Sequence, residues 1–323
     1  MMIVSHRITV GEAVYASGAH SRLVELRTWS ALGTPVNTAR ITLAPAVGLT
    51  ISPEDEVVVE VGYDDELETI FTGSVGAVDW DIEHVTVHAS GAFHKLVGAR
   101  FNRFYEKSKA GDIVSDIAGL LDISTGSVES GLEFPAYAFS GGLNAYDSLR
   151  QLAQRCGFDL YADVDDQLVF APYDAGETHP FQYGVNILAL HLDHPTDSIT
   201  GAEILGDSPA SHGQGSDSSS WLTKKDVKGS AGDTGTGVWR RFDAAVRTQE
   251  DAGRIAEAVL DALRSRRVCT LDALGSPTAR LGDAIEISSM PLDDQNGTFK
   301  ITSVEHRLDI RKGFFTRIGG LEL

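Results

Sequence analysis

The chain has 323 residues, 42% of them hydrophobic, enough for two or three domains with buried cores. Its net charge of −19 argues against a nucleic-acid-binding face, which calls for a stripe of Lys and Arg. No segment approaches the ~20 apolar residues of a membrane span and Met1 to Val10 reads as a short strand, so the chain is expected to be soluble, with neither a Sec-type signal nor a membrane anchor, and to fold in the cytoplasm.

Residues 1–97 read as strands throughout. Arg7 to Val10, Leu23 to Trp29, Ala39 to Leu43, Val57 to Val61, Ile70 to Val75 and Val85 to His88 alternate or run β-branched, with Gly, Pro and acidic turns between them. No helix start signal interrupts this block, and one β-barrel or sandwich is expected.

From Phe101 the period changes. Ser108 is placed to cap a helix whose apolar positions Ile113, Ile117, Leu120 and Leu121 share one face, with Asp112 in its first turn. A second helix starts at Asn144, shows Tyr146, Leu149, Leu152 and Cys156 on one face, and stops at Gly157. Phe158 to Ala162 and Leu168 to Ala171 follow as a hairpin around Asp163 to Gln167. Residues 98–180 are therefore expected to form a small α+β insert.

A second β block, residues 181–323, opens with Val185 to Leu192 and Ser198 to Leu205. Residues 207–236 are dense in Ser and Gly and read as a long mobile loop. Thr248 then caps a helix over 248–266, with Ala252, Ile255, Val259, Ala262 and Leu263 on one side, Asp251 at the start and Arg264, Arg266 and Arg267 at the end.

The closing strands repeat a series near the beginning. Glu54 to Val61, an acidic turn at Asp64 to Glu66, Thr69 to Val75, Asp79 to Glu83 and His84 to His88 form the first copy. Leu281 to Ile287, an acidic turn at Asp293 and Asp294, Gly297 to Val304, Asp309 and Phe315 to Leu321 form the second. The expected architecture is mainly β: two related β-barrel domains separated by the α+β insert, with one helix attached to the second barrel. A doubled barrel favours a symmetric scaffold over a single catalytic pocket, although fold alone does not dictate function.

Motifs of chemistry are scarce. There is no Gly-x-Ser-x-Gly elbow, no His-Glu-x-x-His and no phosphate-binding Walker A sequence. Gly232 to Gly237 is glycine-rich but follows a loop, and reads as a flexible linker. Asp163 to Gln167 opens like a calcium loop, yet Leu168 stands where the tight-turn Gly belongs and Asp174 where a bidentate Glu belongs, so a plain turn is expected. His84 and His88 share one strand face without a third zinc ligand, and His191 and His194 flank a turn. Cys156 and Cys269 lack CxxC or metal spacing and are expected to be reduced, buried thiols. Phe101, Phe104 and Tyr105 are expected to pack at the domain junction. No catalytic, cofactor-binding or metal-binding residue is assigned, and no enzyme activity is expected.

The segments Phe104 to Ile113, Tyr137 to Ala153 continuing through Cys156 to Tyr161, and Gly297 to Asp309 closing on Phe315 and Thr316 together resemble the phage late control D family, the baseplate hub proteins of contractile tails. They are similar also to the hub-forming N-terminal half of type VI secretion VgrG spikes. The resemblance spans most of the chain through degenerate motifs in a specific order.

It implies a non-enzymatic structural protein of the virion baseplate or of a phage-tail-like injection particle. It implies a homotrimer whose doubled barrels meet a six-fold tail tube or tube initiator on one side and a three-fold spike on the other, among other baseplate proteins. DNA or protein cargo would pass through its lumen without specific binding. VgrG continues into further domains and a needle, so here the needle is expected to be a separate protein. The acidic surplus is spread along the chain; it fits a solvated surface, a lumen that repels acidic cargo, or a salt-loving host. Two other readings remain open from the residues: a tail-associated cell-wall hydrolase or glycan-binding protein using a carboxylate pair, and the hub of a non-contractile tail.

Overall fold

The computed structural model describes residues 3–18, 21–45, 50–196, 198–207 and 227–323. The first β module contains β1 (Val4–Val10), β2 (Ala13–Ala16), β3 (Leu23–Ala31), β4 (Thr38–Leu43), β5 (Glu56–Tyr63), β6 (Glu66–Trp80) and β7 (Val85–Ser90). Their order across the sheet is β3-β4-β7-β6-β5-β1-β2, and every pairing is antiparallel. Alternation puts Val57, Val59 and Val61 of β5 into one core with Ile8, Leu26, Ile41 and Val87.

An α/β layer follows, made of α1 (Phe93–Gly98), β8 (Arg103–Lys109), α2 (Ala110–Leu120), β9 (Thr125–Val128), β10 (Glu133–Phe139), α3 (Ala145–Cys156), β11 (Asp159–Ala162) and β12 (Leu168–Ala171). Helix α1 lies within the stretch expected to be strands only. It has no side-chain cap of its own; the carboxylate of Asp166, at the tip of the β11–β12 hairpin, accepts the Ala92 N–H instead. A cap supplied from 74 residues away leaves no local signal.

Ser108 belongs to β8, and α2 begins two residues later, where the Asp112 carboxylate accepts the Lys109 N–H. Helix α3 starts as expected, with Asn144 Oδ1 accepting from Asp147 N at 2.7 Å, and ends on Gly157 at φ 69°.

The second β module opens with β13 (Thr178–Gln182) and β14 (Ile187–Asp193). The chain then leaves it for β15 (Gly201–Gly206), β16 (Lys228–Gly232), β17 (Val238–Asp243) and α4 (Gln249–Leu263), and returns as β18 (Val268–Leu274), β19 (Ala284–Ser288), β20 (Gly297–Asp309) and β21 (Gly313–Glu322). Of the expected loop 207–236, residues 208–226 lie outside the described residues. Lys228 to Gly232 form a strand paired with β15, because Gly229 lets the sheet approach the backbone of α4.

Thr248 caps α4 as expected, but its last helical residue is Leu263. Arg266 and Arg267 lie beyond that end, paired with Asp261 and Glu322. In space α4 joins the α/β core and not the second β module. Its Ala252, Ile255, Ala256 and Leu260 pack in one cluster with Leu149, Leu152, Ile204 and Val227.

The two β modules repeat one another strand for strand. The order β3-β4-β7-β6-β5-β1 of the first is matched by β14-β18-β21-β20-β19-β13 of the second. Irregularities recur at equivalent points: the β3–β4 register shifts between Leu23 and Glu25, and the β14–β18 register between Ile187 and Ala189. The β6–β7 register shifts between Val75 and Ala77, and the β20–β21 register between Ile301 and Ser303.

Val75 N donates to Asp55 O at 2.9 Å, and Ile301 N to Asp283 O at 3.0 Å. The residues just before those acids, Glu54 and Gly282, both take positive φ, 69° and 95°. One pairing differs, since β13 runs parallel to β19 whereas β1 runs antiparallel to β5. The modules are not separate: β3 pairs with β20, which makes a single 13-stranded sheet over two cores.

Candidate assembly surfaces

The joint between the modules is a strand pair with a mixed face. In its register Ala31 to Glu25 lie opposite Ser303 to Asp309. Leu308 is a residue of β20, yet it is buried in the first module's core, and Phe314 from the same hairpin enters beside it. Glu305, 1% exposed, sits between two guanidinium groups: Arg307 donates to it twice, at 2.7 and 2.8 Å, and Arg27 bonds it across the joint. An acid this buried needs such partners, because an unpaired buried charge is costly. Across β18 and β21, Arg317 grips Asp272 at 2.5 and 2.9 Å and holds that carboxyl below its usual range. Tyr63 of the first module donates its hydroxyl to Gly275 O at 3.0 Å.

The insert is wedged against both modules. Asn37 donates to Ala162 O at 2.9 Å, Asp166 holds Ala92, and Lys300 reaches both oxygens of Asp159 at 2.7 and 2.6 Å. Burial pushes the Asp166 carboxyl up to about 6, partly offset by the Ala92 N–H. A groove of about 620 Å³ runs between β10 and β17. Phe104 and Phe242 line it and are exposed, while Phe101 packs edge-on against Phe139 and Tyr105 bonds Asp116 at 2.8 Å. Of the three aromatics expected in the junction, Phe104 therefore points outward. Arg155 and Asp243, which also line the groove, form a buried pair at 2.6 Å.

Among the sheet edges that lack a strand partner in the described residues are those of β14 and of the distal half of β6. β14 pairs only with β18, and β6 beyond Ser74 pairs only with β7. Both edges are apolar in places: Leu188 on β14 is 55% exposed, Trp80 at the end of β6 is 56% exposed, and Ile82 just past it is 96% exposed. Such edges are rarely left open in a finished assembly.

The histidines singled out in the sequence fall here and not in a metal cluster. His88 bonds Asp79 at 3.0 Å, His84 lies 3.9 Å from Asp81, and His191 is exposed on β14. Among the described residues, no group of three or more His, Cys, Asp or Glu is placed to hold a metal ion. Asp163 accepts from Asp165 N and Gln167 N at 3.0 and 2.9 Å, which makes the calcium-like stretch an Asx-type hairpin turn. The Gly232 to Gly237 stretch turns the chain from β16 into β17, with Asp233 accepting the Gly235 N–H at 2.9 Å. Cys156 and Cys269 are free thiols, and burial pushes Cys269 up to about 12.

No family model and no curated protein sequence matches the chain. Solved structures do. The 43 kDa tail protein of prophage MuSo2 from Shewanella oneidensis superposes with a TM-score of 0.72 at 14% identity, covering 99% of this chain and 98% of that one. A tail protein from Neisseria meningitidis MC58 gives 0.69 at 14% identity, covering 99% and 96%. The E. coli c3393 protein, described as a type VI secretion component similar in structure to the T4 tail proteins gp27 and gp5, gives 0.61 at 10% identity over 98% and 76%. The chain thus has the β-rich fold of phage tail and VgrG-related proteins, the fold its sequence resemblance implies.

Proposed function

We propose that the protein is the baseplate hub of a contractile phage tail or of a related injection particle, with no enzymatic role. The observation that carries this reading is the duplicated six-strand order within one continuous sheet. A chain that holds two equivalent modules lets three copies present six similar surfaces, the adaptor needed between a six-fold tube and a three-fold spike. The likeness in fold to phage tail proteins and to a type VI secretion component supports it. In this reading the tube or its initiator, a separate spike and other baseplate proteins are the partners, and cargo passes without specific binding. The acid surplus then serves a repelling lumen, so acids should cluster inward in the assembled ring; a lumen lined by Arg would contradict that part.

Native mass measurement of the purified chain tests the reading, first alone and then with candidate tube and spike proteins. A trimer that co-assembles with both is the expected result. A chain that stays single in every mixture rules the hub out. Peptidoglycan zymography tests for hidden hydrolysis; clearing that depends on particular acids would overturn the non-enzymatic assignment.

A further inference from the structure

The α/β layer holds two small sheets that cover one core without pairing with each other. β10 pairs only with β8, and β17 pairs only with β15, so each keeps a second edge with no strand partner among the described residues. Tyr137 and Phe139 of β10 pack in the same cluster as Ile204 of β15 and Leu149 and Leu152 of α3. The groove between the sheets is lined by consecutive residues, 136–140 along β10 and 241–245 at the end of β17. Strand edges therefore border it, since a single strand face would contribute only alternate residues. Ser148, Gln151 and Arg155, at helical spacing on α3, complete its lining.

We propose that this groove takes an extended peptide of a partner protein as an added strand, with acidic side chains alternating with apolar ones. The backbone groups of the two open edges supply the pairing, as in strand addition to any exposed sheet edge. Charge sets the acidic half of the pattern. Arg155, Arg241 and Arg247 line the groove against the single carboxylate of Asp243, in a chain whose net charge is −19. That carboxylate is already shared: Arg155 Nε donates to it at 2.6 Å, and Arg241 lies 3.9 Å from the same oxygen. Arg247 Nε is buried without an acceptor, a shortfall that buried donors rarely carry.

Alternation sets the apolar half. Arg241 and Asp243 lie on the Arg155 side of β17, and Phe242 between them takes the other side, where it is 62% exposed. Phe104, also 62% exposed, lines the same groove and stands opposite the exposed Ala138 in the register of β8 and β10. A strand laid between β10 and β17 would turn one set of side chains to the arginines and the alternate set to the two phenylalanines. This requires a peptide and no second copy of the chain, so it stands apart from the hub reading.

Peptide display on the full chain tests the groove, with a random library about seven residues long, an ordinary strand length, as the probe. Enriched sequences should alternate Asp or Glu with apolar residues, and the tightest binder should slow amide exchange in both β10 and β17. Arg241→Glu should weaken that peptide at least ~10-fold, and Arg241→Lys by less. Phe104→Ser combined with Phe242→Ser should also weaken it; both side chains are exposed, so the fold is spared, and melting curves check this. Selection that enriches no alternating acidic pattern, binding that neither substitution weakens, or protection confined to one edge overturns the proposal. Edges that already resist exchange in the free protein would mean that the chain or a second copy fills the groove, and overturn it equally. Each of these results leaves the hub reading standing.

Discussion

Leu308 lies directly opposite Leu26 across the junction of the two β modules, and its side chain completes a core to which its own module does not belong. The first module is consequently not autonomous. Replacing Leu308 with Ala removes a buried side chain that the surrounding strands cannot follow inward, and should cost about 3 kcal/mol. Urea unfolding measures the loss. Amide exchange should accelerate in β3 and β4 of the first module as well as in β20; acceleration confined to the second module would contradict the shared core.

Asp166 holds Ala92 with both carboxylate oxygens, at 2.9 and 2.8 Å, and burial raises its pKa from the ordinary 3.8 to about 6. The folded state thus retains a proton that the unfolded state has lost. Its stabilising contribution is fully present below pH 3.8 and is lost as the pH rises through about 6. Asp166→Asn keeps an acceptor for Ala92 and removes the titration. The stability of the natural protein relative to this variant should fall between pH 4 and pH 7, by on the order of 1 kcal/mol once solvent screening is allowed for. Parallel pH curves would refute the assignment.

His306 should show the opposite dependence. It is buried, with Nδ1 3.1 Å from the Thr316 hydroxyl, and desolvation lowers its pKa to about 4. Its neutral form belongs to the folded state, so its contribution is present above pH 6.5 and is lost as the pH falls through about 4. His306→Gln should flatten the acid limb of a melting-temperature profile relative to the natural protein, even if it lowers stability at neutral pH. An unchanged limb would mean that His306 is already charged in the fold.

Gly229 lets β16 lie against α4. A Cβ at this position would stand 2.1 Å from the backbone of Ala252 and Gly253. Gly229→Val must push the helix away, and overpacking of this kind should cost about 3 kcal/mol or prevent folding. Circular dichroism melts read the loss. Gly253→Ala, on the same helix and with open space around it, should be neutral or slightly stabilising.

Much of this was legible in the chain. The caps at Asn144 and Thr248, the αL stop at Gly157 and the alternating strands all act within a few residues of themselves, so sequence spacing reports them directly. The repeat was visible too, but its true register was not: structural equivalence sets Gly297 on Phe71 and Phe299 on Gly73, because the bulges that define it leave no local pattern. Helix α1 was hidden since its cap comes from Asp166, and β16 was hidden since a Gly- and Ser-rich strand without apolar alternation looks like a loop. The outward turn of Phe104 depended on which face of β8 its neighbours cover.

Periodicity and capping residues in the sequence by themselves determined helices α2, α3 and α4 and the alternating strands of the two β blocks, and that one strand series occurs twice, because those preferences arise from backbone sterics and neighbouring side chains. Only the tertiary structure decided that the two modules share one sheet through β3 and β20 and that α4 belongs to the α/β core. Each of those depends on hydrogen bonds and burial between residues remote in the chain, where any one of several exposed strand edges satisfies the same local pattern and the filling of the cores selects among them.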